Sequence, residues 1–200
     1  MSGTGASGSF PAGLSLTVKV PATTANLGPG FDTLGLALSL YDELEVTVRN
    51  DSVIHVTVHG VGEGVVPTDE SNLVARSIAH VFSRFEIPVP GLEIVAHNAI
   101  PHGRGLGSSG AAIVAGIMVA KGLLDGIIDI DSARMLELAT DLEGHPDNVA
   151  PALFGGLTIA WVAQDGPKYQ KLMAHRGVST VVFVPETAMS TELARSLQPD

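Results

Sequence analysis

Apolar positions along this chain switch between two periods. Residues 14–20 (LSLTVKV) alternate with polar ones and stop at Pro21, the pattern of a half-buried strand. Residues 43–49 and 53–59 alternate again about Asn50-Asp51, which predicts a hairpin, and residues 91–97 form another short strand. Between residues 69 and 85 the period lengthens. Leu73, Val74, Ile78, Val81, Phe82 and Phe85 fall at helical spacing behind Ser71 and Asn72, which are helix-starting residues. Residues 111–124 are apolar on every side, so that helix belongs inside the core. Residues 131–143 return to an amphipathic helix, with Ala133, Leu136 and Leu138 inward and Glu137 and Asp141 on one outer face at i, i+4. Beyond it, residues 157–163 and 179–184 read as strands, and residues 191–197 begin a helix.

Glycine and proline interrupt this pattern in four places: residues 21–32, 60–67, 101–110 and 144–156. The first 13 residues are Gly/Ser-rich and uncharged, and read as a flexible tail and not a signal peptide. A soft boundary falls near Gly156. It divides residues 14–156 from residues 157–200, which are too few for a second domain, and the chain stops as a helix gets under way, as a fragment would.

Composition narrows the function classes. Among 200 residues, 21 acidic against 11 basic give a net charge of −10, and the deficit is shared by both halves. Nucleic acid and anionic membrane surfaces are therefore poor partners, since both need clustered Lys and Arg. Cysteine is absent, which removes disulfides, thiolate catalysis and Cys-zinc sites. The longest apolar run, residues 111–120, is about half the ~20 residues a membrane span needs. A cytoplasmic enzyme is the expected class.

Chemistry concentrates in the interruptions. Gly103, Gly105, Gly107 and Gly110 surround Ser108 and Ser109 and lead into the buried helix. Such a loop turns backbone N–H groups inward at a helix N-terminus, which suits phosphate. The P-loop pattern fails because Gly110 is followed by Ala111-Ala112 and not Lys-Ser/Thr. The dinucleotide fingerprint does fit as Gly105-x-Gly107-x-x-Gly110, with Asp125, Asp129 or Asp131 downstream, so an NAD-dependent oxidoreductase competes. Against it, Pro101, His102 and Arg104 precede the first fingerprint glycine, where a strand should end. Asn26 and Asp32 bracket Gly28-Pro29-Gly30, as turn residues or as ligands. Glu143-Gly-His-Pro-Asp-Asn148 gathers two carboxylates, an imidazole and an amide; Pro146 suits a first helical position equally well.

Three segments together resemble the GHMP small-molecule kinase superfamily and its homoserine kinase family: PATTANLGPGFDTLGLAL (21–38), PHGRGLGSSGAA (101–112) and EGHPDNVAPALFGG (143–156). Residues 190–195 are similar to a further substrate-binding stretch. The resemblance implies an α+β fold, with a GHMP-kinase N-terminal ATP-binding domain holding a left-handed βαβ unit and the start of a ferredoxin-like C-terminal domain. It implies ATP-dependent phosphorylation of L-homoserine to O-phospho-L-homoserine in threonine biosynthesis, with another small-molecule kinase of the superfamily as the alternative. Poor turnover is expected of the fragment itself, and a homodimer is compatible with the resemblance. By the same resemblance, Pro101, His102, Gly103, Arg104, Gly105, Leu106, Gly107, Ser108, Ser109, Gly110 and Ala111 would hold ATP. Ser109 and Glu137 would bind Mg²⁺, and Asn26, Asp32, His145, Asn148 and Arg195 would line the homoserine pocket. Asn148 and Asp147 would act in catalysis; Asp147 stands where related kinases carry a catalytic aspartate, although direct transfer without a base is the favoured route. Gly110 departs from the family's usual Ala.

Overall fold

A computed structural model describes residues 10–184 and 186. Its elements are β1 (Ser15–Leu27), β2 (Gly30–Val48), β3 (Ile54–Gly60), α1 (Leu73–Arg84), β4 (Leu92–Asn98), α2 (Ser108–Leu123), α3 (Ser132–Glu143), α4 (Pro146–Phe154), β5 (Leu157–Ala163) and β6 (Gly166–Leu172). The fold is α+β. Strand β2 is the hub: β1 runs antiparallel along it, β4 pairs with residues 43–48, and β5 pairs with residues 34–36. β3 then adds parallel to β4, with α1 as the crossover, which is the expected βαβ unit.

Several expectations change. The predicted hairpin of residues 43–49 with 53–59 does not form, because β4 lies between β2 and β3. Alternation identifies a strand but not its partner. Asp51 accepts hydrogen bonds from Arg49 and from the Val53 N–H, closing a local turn without pairing the flanking strands. Residues 21–32, read as a loop, mostly continue β1 and β2 around a turn at Leu27↔Gly30. Pro21 is accommodated beside a register shift between Pro21 and Thr23. β6, which pairs with β5, carries two lysines and a glutamine and gives no apolar period, whereas residues 179–184 form no strand. The helix expected over residues 191–197 lies outside the described residues.

Helix α2 starts at Ser108, a turn earlier than its apolar run, and buries ten of its sixteen residues. The burial is tight on the α1 side. A Cβ on Gly116 would lie 2.6 Å from the Ser77 Cβ and 2.7 Å from the Val74 carbonyl oxygen. α1 is capped by Asn72, whose side chain accepts from the Val74 N–H, and α3 by Asp131, which accepts from Arg134. α4 occupies a segment that read as punctuation. Pro146 sits in its first turn, and Pro151 leaves the Asp147 carbonyl without its i+4 donor. Gly35 of β2 packs against that carbonyl, where a Cβ would come within 2.0 Å. No helix among the described residues is long and apolar enough to cross a membrane.

Asp42 of β2 anchors the segment that leads out of β4. Only 7 % exposed, its Oδ1 accepts N–H bonds from Ala99 at 2.7 Å and Ile100 at 2.9 Å. Burial pushes the carboxyl up, against those two bonds and nearby His102. A raised folded-state value means stability present below the unfolded value, near 3.8, and lost as pH rises through the folded one. Asp42→Ala should cost about 1–3 kcal/mol in urea unfolding, since it strands a buried N–H. Asp42→Asn keeps an acceptor oxygen and should remove that part of the pH dependence, so its stability relative to the parent should rise between pH 4 and 7.

Candidate active site

The glycine loop ends at the start of α2. Gly107, at φ 65° and ψ 29°, is the N-cap residue of α2, and no side chain caps the helix. The first turn holds no acidic residue either, so its N–H groups and the positive end of the helix dipole remain for an anion. The Ser109 hydroxyl donates to Glu143 Oε2 at 2.8 Å, joining the start of α2 to the end of α3. Burial pushes the Glu143 carboxyl up, opposed by the Ser109 hydrogen bond and by His145, while Asp147 pushes the same way as burial.

Glu137 lies elsewhere. It pairs with Arg134 at 2.6 Å and approaches Arg84 at 3.9 Å, on the side of α3 facing α1. The carboxylate that meets Ser109 is therefore Glu143. Helical spacing picks out Glu137 as an outward acid but does not reveal that the chain's turn at Gly144 brings the last residue of α3 to the glycine loop.

The first turn of α4 supplies three more groups. His145 Nδ1 and the Asn148 backbone N–H both meet Asp147 Oδ1, the latter at 3.1 Å. Asp147 has no exposure, and its Oδ2 has no hydrogen-bond partner among the described residues. Asn148 Oδ1 accepts from the Thr23 hydroxyl at 2.9 Å, and the Thr23 N–H donates to the Leu106 carbonyl at 3.1 Å. Thr23 thus ties β1 to both the loop and α4. Nothing in the sequence pattern singles it out.

Asn26 and Asp32 also meet. Asn26 Oδ1 accepts the Asp32 N–H at 2.8 Å across the turn of Gly28-Pro29-Gly30. Both adopt positive φ, 58° and 57°, a conformation uncommon outside glycine. Arg195 and residues 190–195 lie outside the described residues. Between the β3–α1 connection and α2 opens a cavity of ≈ 260 Å³, lined among others by Val58, Val66, Leu73, Ala96, His102 and Ser108. His102, Ser108 and Ser109 of this lining belong to the glycine loop, and Val66 and Pro67 to the glycine-rich connection of residues 60–67.

Gly107 is less replaceable than Gly105 or Gly110. A Cβ there would lie 2.0 Å from the Thr23 hydroxyl and 3.0 Å from Asn148 Oδ1, on a left-handed backbone. A Cβ at Gly105, φ 72°, would meet nothing within 4 Å. Gly107→Ala should destabilise the fold by more than the roughly 1–2 kcal/mol of left-handed strain, and weaken nucleotide binding. Gly105→Ala should cost no more than that strain. Thermal unfolding and nucleotide titration of both variants check this; equal effects would remove Thr23 and Asn148 as the cause.

Residues 72–156 match the family described as GHMP kinases N terminal domain. The chain is 68% identical over 187 residues to a homoserine kinase of Leifsonia xyli subsp. xyli, covering 94% of this chain and 58% of that protein. It is 49% identical over 183 residues to one from Streptomyces avermitilis, covering 91% and 60%. Among solved structures, a homoserine kinase from Cytophaga hutchinsonii superposes with a TM-score of 0.76 at 31% identity, over 92% of this chain and 60% of that one. The mevalonate kinase of Methanococcus jannaschii, at TM-score 0.61 and 15% identity over 82% of this chain and 57% of that one, shares the fold. The chain spans about six-tenths of the length of the curated relatives it matches. With a βαβ unit, a glycine loop opening a buried helix and likenesses that run through all three motifs, this chain is similar to GHMP kinases, homoserine kinases among them.

Proposed function

We propose that this chain carries the nucleotide site of an ATP-dependent kinase that phosphorylates L-homoserine to O-phospho-L-homoserine, a step of threonine biosynthesis. The observation that carries this reading is the uncapped start of α2 beside a Ser109–Glu143 pair and the Asn148 amide. Residues 101–111 hold the phosphates through backbone N–H groups. The nucleoside enters the cavity beside His102, whose walls are mostly aliphatic. Residues 14–156 form the ATP-binding domain and residues 157–200 begin the substrate domain; β5 and β6 continue the sheet beyond Gly156, so the division is one of role.

A divalent cation suits the residues present. Ser109 Oγ and Glu143 are hard oxygen donors, and a carboxyl held up by burial is relieved by a cation. Ser109 Oγ and Glu143 would hold Mg²⁺, which would supply charge neutralisation for the phosphates when bound. Glu137, which the resemblance assigns to Mg²⁺, is engaged by two arginines and is the weaker candidate.

In the acceptor pocket, Asp32 takes the substrate ammonium and Arg195 its carboxylate, with Asn26, His145 and Asn148 completing the wall. The substrate hydroxyl oxygen bonds to the γ-phosphorus as the bond to the β-phosphate oxygen breaks, and ADP leaves. Asp147, without exposure and bonded to His145, orients that imidazole and does not itself touch substrate. The hydroxyl proton departs during transfer without an obligate carboxylate base.

The NAD-dependent alternative has little support. A dinucleotide fold needs parallel strands on both sides of its fingerprint helix. Here the strand that follows α2, β5, joins β2 antiparallel, and β3–β4 is the one parallel pair among the described strands.

Coupled ADP release should depend on L-homoserine and not on mevalonate or sugars; release with those acceptors alone would overturn the substrate. Ser109→Ala and Glu143→Gln should each raise the Mg²⁺ needed for tight ATP-analogue binding by about tenfold, the scale of one lost ligand contact of ~1.4 kcal/mol. Glu137→Gln should leave that requirement within twofold. The reverse order would restore Glu137 as the ligand.

A further inference from the structure

We propose that Thr23 is a positioning residue for phosphoryl transfer, which sets the orientation of the Asn148 side-chain amide against the glycine loop. This rests on the kinase reading above. Three observations converge on Thr23. It has no exposure although its neighbour Ala22 has none either, so two successive residues of β1 are buried. A regular strand points successive side chains to opposite faces. The register shift between Pro21 and Thr23 breaks that alternation and re-aims the threonine.

The re-aimed residue makes two separate ties. Its backbone N–H holds the Leu106 carbonyl of the loop at 3.1 Å, and its hydroxyl holds Asn148 Oδ1 at 2.9 Å. Gly107 leaves the space in which the two polar groups meet, since a Cβ there would strike both.

A carboxamide has a donor end and an acceptor end, and the two are nearly identical in shape. In this structure the threonine hydroxyl donates to Oδ1, which leaves the NH₂ end as the one that faces away. The Asn148 NH₂ group is then turned out as a donor. The Asn148 side chain leaves the backbone beside the first turn of α2, where its Cβ is 3.3 Å from the position of a Cβ on Gly110. A donor fixed there before substrate arrives stabilises charge on the transferring phosphoryl group at no cost of reorientation. Without the hydroxyl, Oδ1 loses that donor and the amide is no longer held in this one orientation.

Thr23→Val deletes the hydroxyl, conserves shape and keeps the backbone tie to Leu106; Thr23→Ser keeps the hydroxyl. Two measurements on the 200-residue chain separate this proposal from the kinase reading. In ¹H–¹⁵N spectra, the Asn148 side-chain amide is identified by its loss in Asn148→Ala. In the parent and in Thr23→Ser it should show two resolved protons that shift when Mg²⁺ and a non-hydrolysable ATP analogue are added. In Thr23→Val those protons should broaden or move toward the free-amide position, with the backbone amide of Gly107 unchanged. An Asn148 signal unaltered in Thr23→Val overturns the proposal, whether or not the chain turns over homoserine.

In homoserine-dependent ADP release, Thr23→Val should lower kcat about 10- to 100-fold. KM for ATP should stay within twofold, Thr23→Ser should recover most of kcat, and the valine change should add nothing in an Asn148→Ala background. A kcat loss that persists undiminished in that background, or one matched by an equal rise in KM for ATP, would assign Thr23 to the loop's stability alone. Turnover in the parent with mevalonate or sugars and not with homoserine would defeat the substrate reading and leave the spectroscopic result to decide the role of Thr23.

Discussion

A helix that is apolar on every side cannot lie on a surface, and the burial of α2 is the constraint to which everything else is fitted. Its flanks meet α1, α3, α4 and β1, and Gly116 brings its backbone close to that of α1. A helix gripped along its whole length cannot shift to suit a ligand. Its N-terminus is therefore a fixed point, and the glycine loop is the length of chain that delivers β4 to it. Asp42 fixes the near end of that loop and Thr23 its far end. Between them the backbone is free to curl, with its anchors held by β2 and β1.

The same burial explains why the site residues come in pairs. Each element that packs on α2 contributes at its end: α3 places Glu143 on Ser109, α4 places Asn148 under Gly107, and β1 places Thr23 against both the loop and α4. Two helix starts, of α2 and α4, thus meet through side chains on one strand. Gly35 and Pro151 permit this at the other side of α4, where a strand backbone approaches a helix carbonyl that has no intrahelical donor.

What the sequence made legible follows from how local each signal is. Amphipathic α1 and α3, the buried α2 and the glycine loop that opens it were all readable, because periodicity and glycine density are properties of short segments. Partner choice was not. Residues 53–59 alternate like a hairpin partner of residues 43–49 and pair instead with β4, after a crossover no local pattern announces. Pro146 and Pro151 hid α4, although the first marks a helix start and the second is tolerated beside Gly35. Glu143 was visible within its motif, yet its meeting with Ser109 depends on the left-handed turn at Gly144. Asn26 and Asp32 were readable either as turn residues or as ligands, and their mutual hydrogen bond with positive φ at both makes the first role concrete without removing the second.

The charge of the chain bears directly on how such a site can work. With 21 acidic and 11 basic residues, the protein's overall field repels a nucleotide triphosphate. The attraction must therefore be local, and here it is built mainly from backbone: uncapped N–H groups at the start of α2, and no carboxylate in its first turn. Glu143 is the exception at the rim, a carboxyl raised by burial and held by one hydroxyl. Alone it would oppose a phosphate; joined to a divalent cation it attracts one. On the proposed kinase reading, an acidic chain with a backbone-made anion hole and one adjacent half-buried carboxyl would favour a nucleotide that arrives with its metal over the same nucleotide without it.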